Sequence, residues 1–579
     1  MVILETQTQD EQPVEGPSRV NVAQMLGDMA AAHPYRRAVV FPAGRDANGR
    51  VAYTHLTFRQ LDRESDCLAH GLVRFGIRRG IRTILMVRPS LEFFALTFAL
   101  FKVGAVPVIV DPGMGLKRML SCLQQSRPAA LVGIAPAQAV RVIFAKYSKS
   151  VKTHVTVGRR WFWGGPTLAH IRETPWQPFS VVQTREDETA AILFTTGSTG
   201  PAKGAVYTHG IFAAQVRHIQ RTFNIQPGEI DLPTFPLFAL FDPALGMTAV
   251  IPDMDSTRPA RVNPDRIIEA VINQGVTNMF ASPALLDRVG RFGQEKGIKL
   301  AVMRRVISAG APVMPDNLER FSALLSQDAE IFPGYGATEA MPVAFIGSRE
   351  ILSQTRKLSE KGYGICVGRA FEGLDVRVIR ITDDAISHWS EDLVCPVGEI
   401  GEIVVHGDIV TRAYFEKPRG DLFAKIMQDG RIWHRMGDLG WFDSEGRLWF
   451  CGRKSHRVVT PKHTYYTIPC ESVYNNHPAV YRSALVGVGR KFDQKPVVCI
   501  ELEKRGTFGS QRKLREELLE MGSKSVLTRD IRHLFFHPGF PVDIRHNAKI
   551  FREQLALWAE KKMKTNNRSR IRKAQSSSS

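Results

Sequence analysis

The chain has 579 residues, 44% of them hydrophobic, and a net charge of +20. That is ample for a buried core and too long for one ordinary domain. Its seven cysteines are scattered with no C-x-x-C pair, which argues against a disulfide framework or a zinc cluster and fits a reducing cytoplasm.

Residues 1–18 carry acids and no long apolar run, so they read as a flexible lead-in rather than a signal peptide. The run "FFALTFALFKVGAVPVIV", residues 93–110, is nearly all apolar, but Lys102, Gly104 and Pro107 interrupt it. This predicts a helix to about Val103, a glycine stop and a buried strand from Pro107, not a membrane span. Short apolar runs recur along the chain: "RTILMV", "VPVIVD", "AALVGI", "TNMFAS" and "RVISAG". Spaced by longer amphipathic segments, they predict an α/β body of parallel sheets covered by helices. Near residue 400, "GEIGEIVVHG" and "GRLWFCGR" are short alternating segments with glycine turns. They predict an antiparallel patch or a small barrel-like sheet. After Gly452 the chain turns polar and basic before "VYRSALVGVG" and "KPVVCIELE". The expected organisation is an N-terminal body over 19–453, a smaller α+β C-terminal domain over 454–560, and a basic disordered tail over 561–579. The tail holds seven positive charges and no acid. Such a tail suits nucleic acid or anionic lipid, but no aromatic residue interleaves for base stacking, and a solvated terminus is the simpler expectation.

The stretch "FTTGSTGPAKG", residues 194–204, follows the apolar run "AAILF". It fails as a Walker loop, because Lys203 stands between Ala202 and Gly204. It is not a dinucleotide fingerprint, because no G-x-G-x-x-G opens a helix. Nor is it a hydrolase elbow, because Thr196 stands where a glycine must precede Ser198 by two. Its residue types still suit an anion. Gly197, Gly200 and Gly204 let backbone N–H groups turn towards a phosphate, Thr195, Thr196, Ser198 and Thr199 add hydroxyls, and Lys203 adds charge. An ordinary surface turn is the competing reading of the loop by itself.

Four further stretches follow in order: "SAGAP" (308–312), "GYGATE" (334–339), "HRMGDLGWFDSEGRLWFCGR" (434–453) and "NAKI" (547–550). With the loop, they make the chain resemble the adenylate-forming superfamily of acyl-CoA synthetases, firefly luciferases and peptide-synthetase adenylation domains. The resemblance spans nearly the whole chain. It implies that residues 195–203 grip the β- and γ-phosphates of ATP, although the usual proline before the lysine is here Ala202. It further implies that Gly310 and Ala311 approach adenine, that Tyr335 of "GYGATE" stacks on it beside Gly336, and that Thr338 binds the α-phosphate. Glu339 would hold Mg²⁺, a cation that takes oxygen ligands and shares them with phosphates. Asp438 would accept hydrogen bonds from the ribose hydroxyls, with Arg453 nearby. Lys549 matches the catalytic lysine of a mobile C-terminal domain, where one cation serves both the attacking carboxylate and the developing pentavalent phosphate. The implied half-reaction is carboxylate plus MgATP giving acyl-AMP and pyrophosphate.

For the second half-reaction the sequence departs from most of the superfamily. The hinge position after "GR-x" is Ser455. The glycine-ended loop that would enter beside a pantetheine thiol is missing, and Pro461, Lys462, Tyr465 and Tyr466 stand there instead. The ligase histidine after "P-x-F" is replaced by Ala239. "MVRPSLEFF", residues 231–260 and "HPGFPVDIRHNAKI" are similar to the β-lactone synthetases of bacterial long-chain olefin biosynthesis. That resemblance implies a 2-alkyl-3-hydroxy fatty acid whose own β-hydroxyl attacks the adenylated carbonyl. It also implies assembly with an α/β-hydrolase-fold β-lactone decarboxylase and a short-chain reductase. A long-chain acyl-CoA synthetase or acyl-AMP ligase is the alternative. No base for the hydroxyl is assigned; His209 and Asp242 read as structural. Residues 235–245 suit either an alkyl pocket or core packing.

Overall fold

In the computed structural model, residues 20–173, 175–195, 202–503, 510–542 and 550–576 are described. Lys549, and Thr196 to Gly200 of the glycine-rich loop, lie outside them.

Two sheets build the body. The smaller has six strands in the order Thr153–Val157, Ala130–Ile134, Arg82–Met86, Val106–Val110, Thr189–Thr195 and Lys203–Thr208. The first five run parallel and the last is antiparallel to its neighbour. Their apolar runs are continuous rather than alternating, because both faces are covered: Ile84, Val108, Leu131 and Val132 are all buried. The apolar run at 93–110 resolves into helix Leu91–Lys102 and strand Val106–Val110. The Ser90 hydroxyl caps the helix by accepting from the Phe93 amide. Gly104 ends it at φ +67, where a side chain would be strained. Lys102 is buried but matched by Asp62 at 2.7 Å and Asp66 at 2.6 Å, so its charge sits in the protein interior without a missing partner. No described helix is long and apolar enough to cross a membrane.

The larger sheet has fourteen strands. Its parallel part contains Thr248–Val250, Ile230–Pro233, Asn278–Ala281, Arg305–Ser308 and Glu330–Ala337. The antiparallel patch expected near residue 400 is present and is continuous with this sheet. Strand Ala340–Phe345 turns back on Glu330–Ala337, and Ile365–Ala370, Leu448–Arg453, Arg431–Phe442 and Gly401–His406 follow edge to edge.

After Arg453 the chain leaves this sheet. Strands Val480–Arg490, Asp493–Leu502 and His533–Phe536 form a separate three-stranded sheet. Helix Arg552–Ser576 lays Leu555 and Ala559 against its Ala484, Val486 and Cys499. Residues 561–576, expected as a disordered tail, are thus helical backbone. No glycine or proline interrupts the chain after Arg552, and Lys, Arg, Met, Ala and Gln are all good helix formers.

Candidate active site

Parallel strands present their carboxyl ends to ligands. Here those ends open onto a cavity of ≈ 3040 Å³. Strand Arg305–Ser308 runs out into Gly310, which adopts φ +94, and Ala311. Its neighbour Glu330–Ala337 carries Tyr335 and Gly336, and the turn after it carries Thr338 and Glu339. A Cβ on Gly336 would come within 2.9 Å of the Ala340 carbonyl oxygen, so the tight return of the chain needs glycine there. Tyr207 holds the turn by donating to the Thr338 carbonyl at 2.6 Å.

Asp438 and Arg453 come from adjacent antiparallel strands and are register partners. Arg453 Nη1 lies 3.1 Å from Asp438 Oδ1, and the Tyr335 hydroxyl donates to Asp438 Oδ2 at 2.8 Å. Burial and the Asp438 charge hold the Tyr335 phenol well above its ordinary pKa. It therefore stays protonated and keeps donating. Tyr335, 103 positions from Asp438, thus joins Arg453 at one buried carboxylate, with the Phe450 ring 6.0 Å from that of Tyr335.

A second charged group surrounds Glu339. Tyr414 donates to Glu339 Oε1 at 2.6 Å. Lys203 Nζ stands 4.5 Å from the centre of the Tyr414 ring, a cation–π contact. The two are brought together because the Phe415 amide bonds the Gly204 carbonyl at 2.8 Å, stitching the loop after strand Gly401–His406 to the edge of the small sheet. Lys425 is buried beneath, bonded to the Thr411 carbonyl. Burial lowers its ammonium to about 8, against the raising pull of Glu339 and Asp421. Sequence reasoning missed Tyr414 and Lys425. A lone tyrosine in a loop and a lysine opening a short apolar strand carry no motif.

Thr195 and Lys203 are opposite each other in register. The glycine-rich stretch therefore joins two antiparallel strands, where a Walker loop joins a strand to a helix. Ser455 is exposed on the turn Lys454–His456, between tethered neighbours. Lys454 reaches Glu402 at 2.8 Å, and Arg457 reaches Asp383 at 2.6 Å. In place of the glycine-ended loop, Val458–Val459 and Thr464–Tyr465 pair as a hairpin. Pro461 and Lys462 are exposed at its tip, and Tyr465 is buried in the core of the C-terminal domain. His209 is buried with Nδ1 accepting from the Val22 amide at 3.3 Å. Burial lowers its pKa to about 4, which keeps it neutral. Asp242 is buried beside Asp231, and burial raises both carboxyl groups above the usual range.

The cavity has apolar walls from two separate parts of the core. Val216, Ile219, Phe223 and Leu245 line one, and Met86, Met114, Met119 and Val140 line the other. Within residues 235–245 both sequence readings hold. Phe235, Phe238 and Phe241 face the cavity, with Phe238 stacked on Phe280 at 4.0 Å, while Ala239 is fully buried.

The Gly310 and Gly336 turns, the buried Asp438 and the Glu339 carboxylate thus line one cleft of an α/β body. The family model for AMP-binding enzymes matches residues 27–415, and the chain belongs to that family. Within it, the chain is 47% identical over 546 residues to the olefin beta-lactone synthetase of Xanthomonas campestris pv. campestris, covering 93% of this chain and 97% of that one. The protein of the same description from Stenotrophomonas maltophilia is 47% identical over 547 residues, covering 93% and 98%. Among solved structures, an amide bond synthetase from Marinactinospora thermotolerans has the same fold. Its TM-score is 0.76 at 21% identity, over 93% of this chain and 99% of that one.

Proposed function

We propose that the protein adenylates a long-chain 2-alkyl-3-hydroxy fatty acid with ATP and closes the acyl-AMP to a β-lactone, releasing pyrophosphate and AMP. The observation that carries this reading is the 47% identity, along nearly the whole of both chains, to olefin beta-lactone synthetases. The cavity supports it chemically. Two apolar walls suit an acid with two alkyl chains, and the charged groups lie at the carboxyl ends of the strands where the reacting carboxylate would sit.

In this reading Asp438, oriented by Tyr335 and Arg453, accepts from the ribose hydroxyls, and Tyr335 and the Gly310–Ala311 turn flank adenine. Thr338 meets the α-phosphate. Thr195 to Lys203 hold the β- and γ-phosphates. Glu339 fits a magnesium ion: Tyr414 occupies Oε1, and Oε2 accepts no hydrogen bond among the described residues. Phosphates would supply most of the remaining oxygens. Bound magnesium would neutralise phosphate charge as the α–β bond breaks. Lys549 would screen the carboxylate as its oxygen forms a bond to the α-phosphorus and pyrophosphate leaves. The β-hydroxyl oxygen then bonds to the acyl carbon, its proton is released, and AMP departs. A nucleophile held in the same molecule gives the high effective concentration that ring closure needs. The hairpin at 458–465 is in keeping with a second half-reaction that needs no thiol.

Incubation with MgATP and a synthetic 2-alkyl-3-hydroxy acid tests the reading. Lactone and AMP in equal amounts are expected. AMP without lactone, together with a thioester on adding CoA, would favour a ligase instead.

A further inference from the structure

Residues 112–172 contain ten lysines and arginines and no acid, which is half of the net charge of +20 in about a tenth of the chain. Two of the ten are ion-paired, Arg127 with Glu416 and Arg172 with Glu64. Arg141, Lys146, Lys149, Lys152, Arg159 and Arg160 make no ion pair with any described residue, and all but Arg141 are exposed.

In sequence these six flank the outer strand of the six-stranded sheet, Thr153–Val157, four before it and two after it. The following loop folds back along that strand. The His154 ring meets the Trp163 carbonyl at 3.2 Å, and Trp163 Nε1 donates to the Thr156 hydroxyl at 3.0 Å. Trp163 is thereby fixed, and Trp161 and Phe162 pack on its outer side, with ring centres 5.3 and 5.2 Å away. Trp161 is 54% exposed and Phe162 77%. Helix Ala135–Ile143 lies alongside, tied to the strand by Gln138 donating to the Val155 carbonyl at 2.9 Å, and its last residue Ile143 is 71% exposed. A monomer does not normally leave a tryptophan and a phenylalanine bare side by side. Exposed aromatic side chains that directly follow Arg159 and Arg160, in a basic segment without an acid, match the headgroup region of an anionic bilayer.

The same helix has a second face. Ala137 and Val140 line the cavity, beside Met119 and Ile134. We propose that this face docks on an anionic lipid surface and sets one apolar end of the cavity against it. An acid with two long alkyl chains partitions into lipid rather than water, so docking would place the cavity at its supply. The surface itself does not depend on the identity of the product.

Flotation of the full-length protein with vesicles tests this. Binding is expected to phosphatidylcholine vesicles containing phosphatidylglycerol, with weaker binding to phosphatidylcholine alone and weakening as salt rises. The double variants Trp161→Ala/Phe162→Ala and Arg159→Glu/Arg160→Glu should each lower the bound fraction about tenfold or more. Both should keep acid-dependent ATP–pyrophosphate exchange, which establishes that they fold. A form ending at residue 560 should bind as the full chain does. The proposal is overturned if wild type ignores anionic vesicles, if both variants bind like wild type, or if only the truncation abolishes binding. It is equally overturned if the patch variants change self-association on gel filtration and not vesicle binding, which would make the face a protein contact.

Discussion

Asp438 is buried with a cation and a phenol on its two oxygens, and the consequences of disturbing it can be graded. Tyr335→Phe keeps the ring for stacking and removes one hydrogen bond to a charged group, an interaction worth about 1.5–3 kcal/mol. The expected result is a KM for ATP raised about 10- to 100-fold with a smaller change in kcat, read by ATP–pyrophosphate exchange. Asp438→Ala should cost more, since it leaves Arg453 without its carboxylate and the ribose without its acceptor. His209 yields a pH prediction. Its folded pKa is about 4, against about 6.5 in an unfolded chain. Between those values the unfolded state binds a proton that the folded state refuses, so stability falls as pH falls through this window. The full effect is about 3 kcal/mol. His209→Gln, which keeps an acceptor for the Val22 amide, should flatten the loss of thermal stability between pH 7 and pH 4. An unchanged slope would place the acid sensitivity elsewhere.

At the level of elements, strand ends and turns place the charges, and the hairpin at 458–465 marks where the chain parts from thiol-delivering relatives in sequence pattern. Lys549 offers the cleanest division of labour. Lys549→Ala should lower acyl-AMP formation by about a hundredfold or more, the scale of losing one preorganised charge at a transition state. It should leave lactone formation from chemically synthesised acyl-AMP nearly unchanged, as followed by mass spectrometry. Equal loss in both assays would give the lysine a part in ring closure as well. Helices and strands with local signals were legible in the sequence. The glycine stop at Gly104 and the continuous apolar strands are both encoded within a dozen residues. Helix Arg552–Ser576 was not, because a basic run in helix formers looks the same whether solvated coil or helix until Leu555 and Ala559 find a sheet to cover.

At the scale of the whole molecule, sequence motifs pointed to residues that the fold gathers into one cleft across more than a hundred positions, as with Tyr335 and Asp438. What the motifs could not supply were partners without patterns. Tyr414 meets both Glu339 and Lys203, with Lys425 5.9 Å from its ring, because two sheets are stitched together at Gly204 and Phe415. The junction that makes fourteen strands one sheet is likewise a tertiary event, set by the turn between Ala337 and Ala340. In the proposed reaction the carboxylate is the group adenylated and the β-hydroxyl is the nucleophile. Both follow the fate of one oxygen atom. With substrate carrying ¹⁸O in its β-hydroxyl, the label should remain wholly in the lactone ring while AMP leaves unlabelled. Recovery of the label in AMP would mean that the hydroxyl had been adenylated and displaced, and would contradict the account.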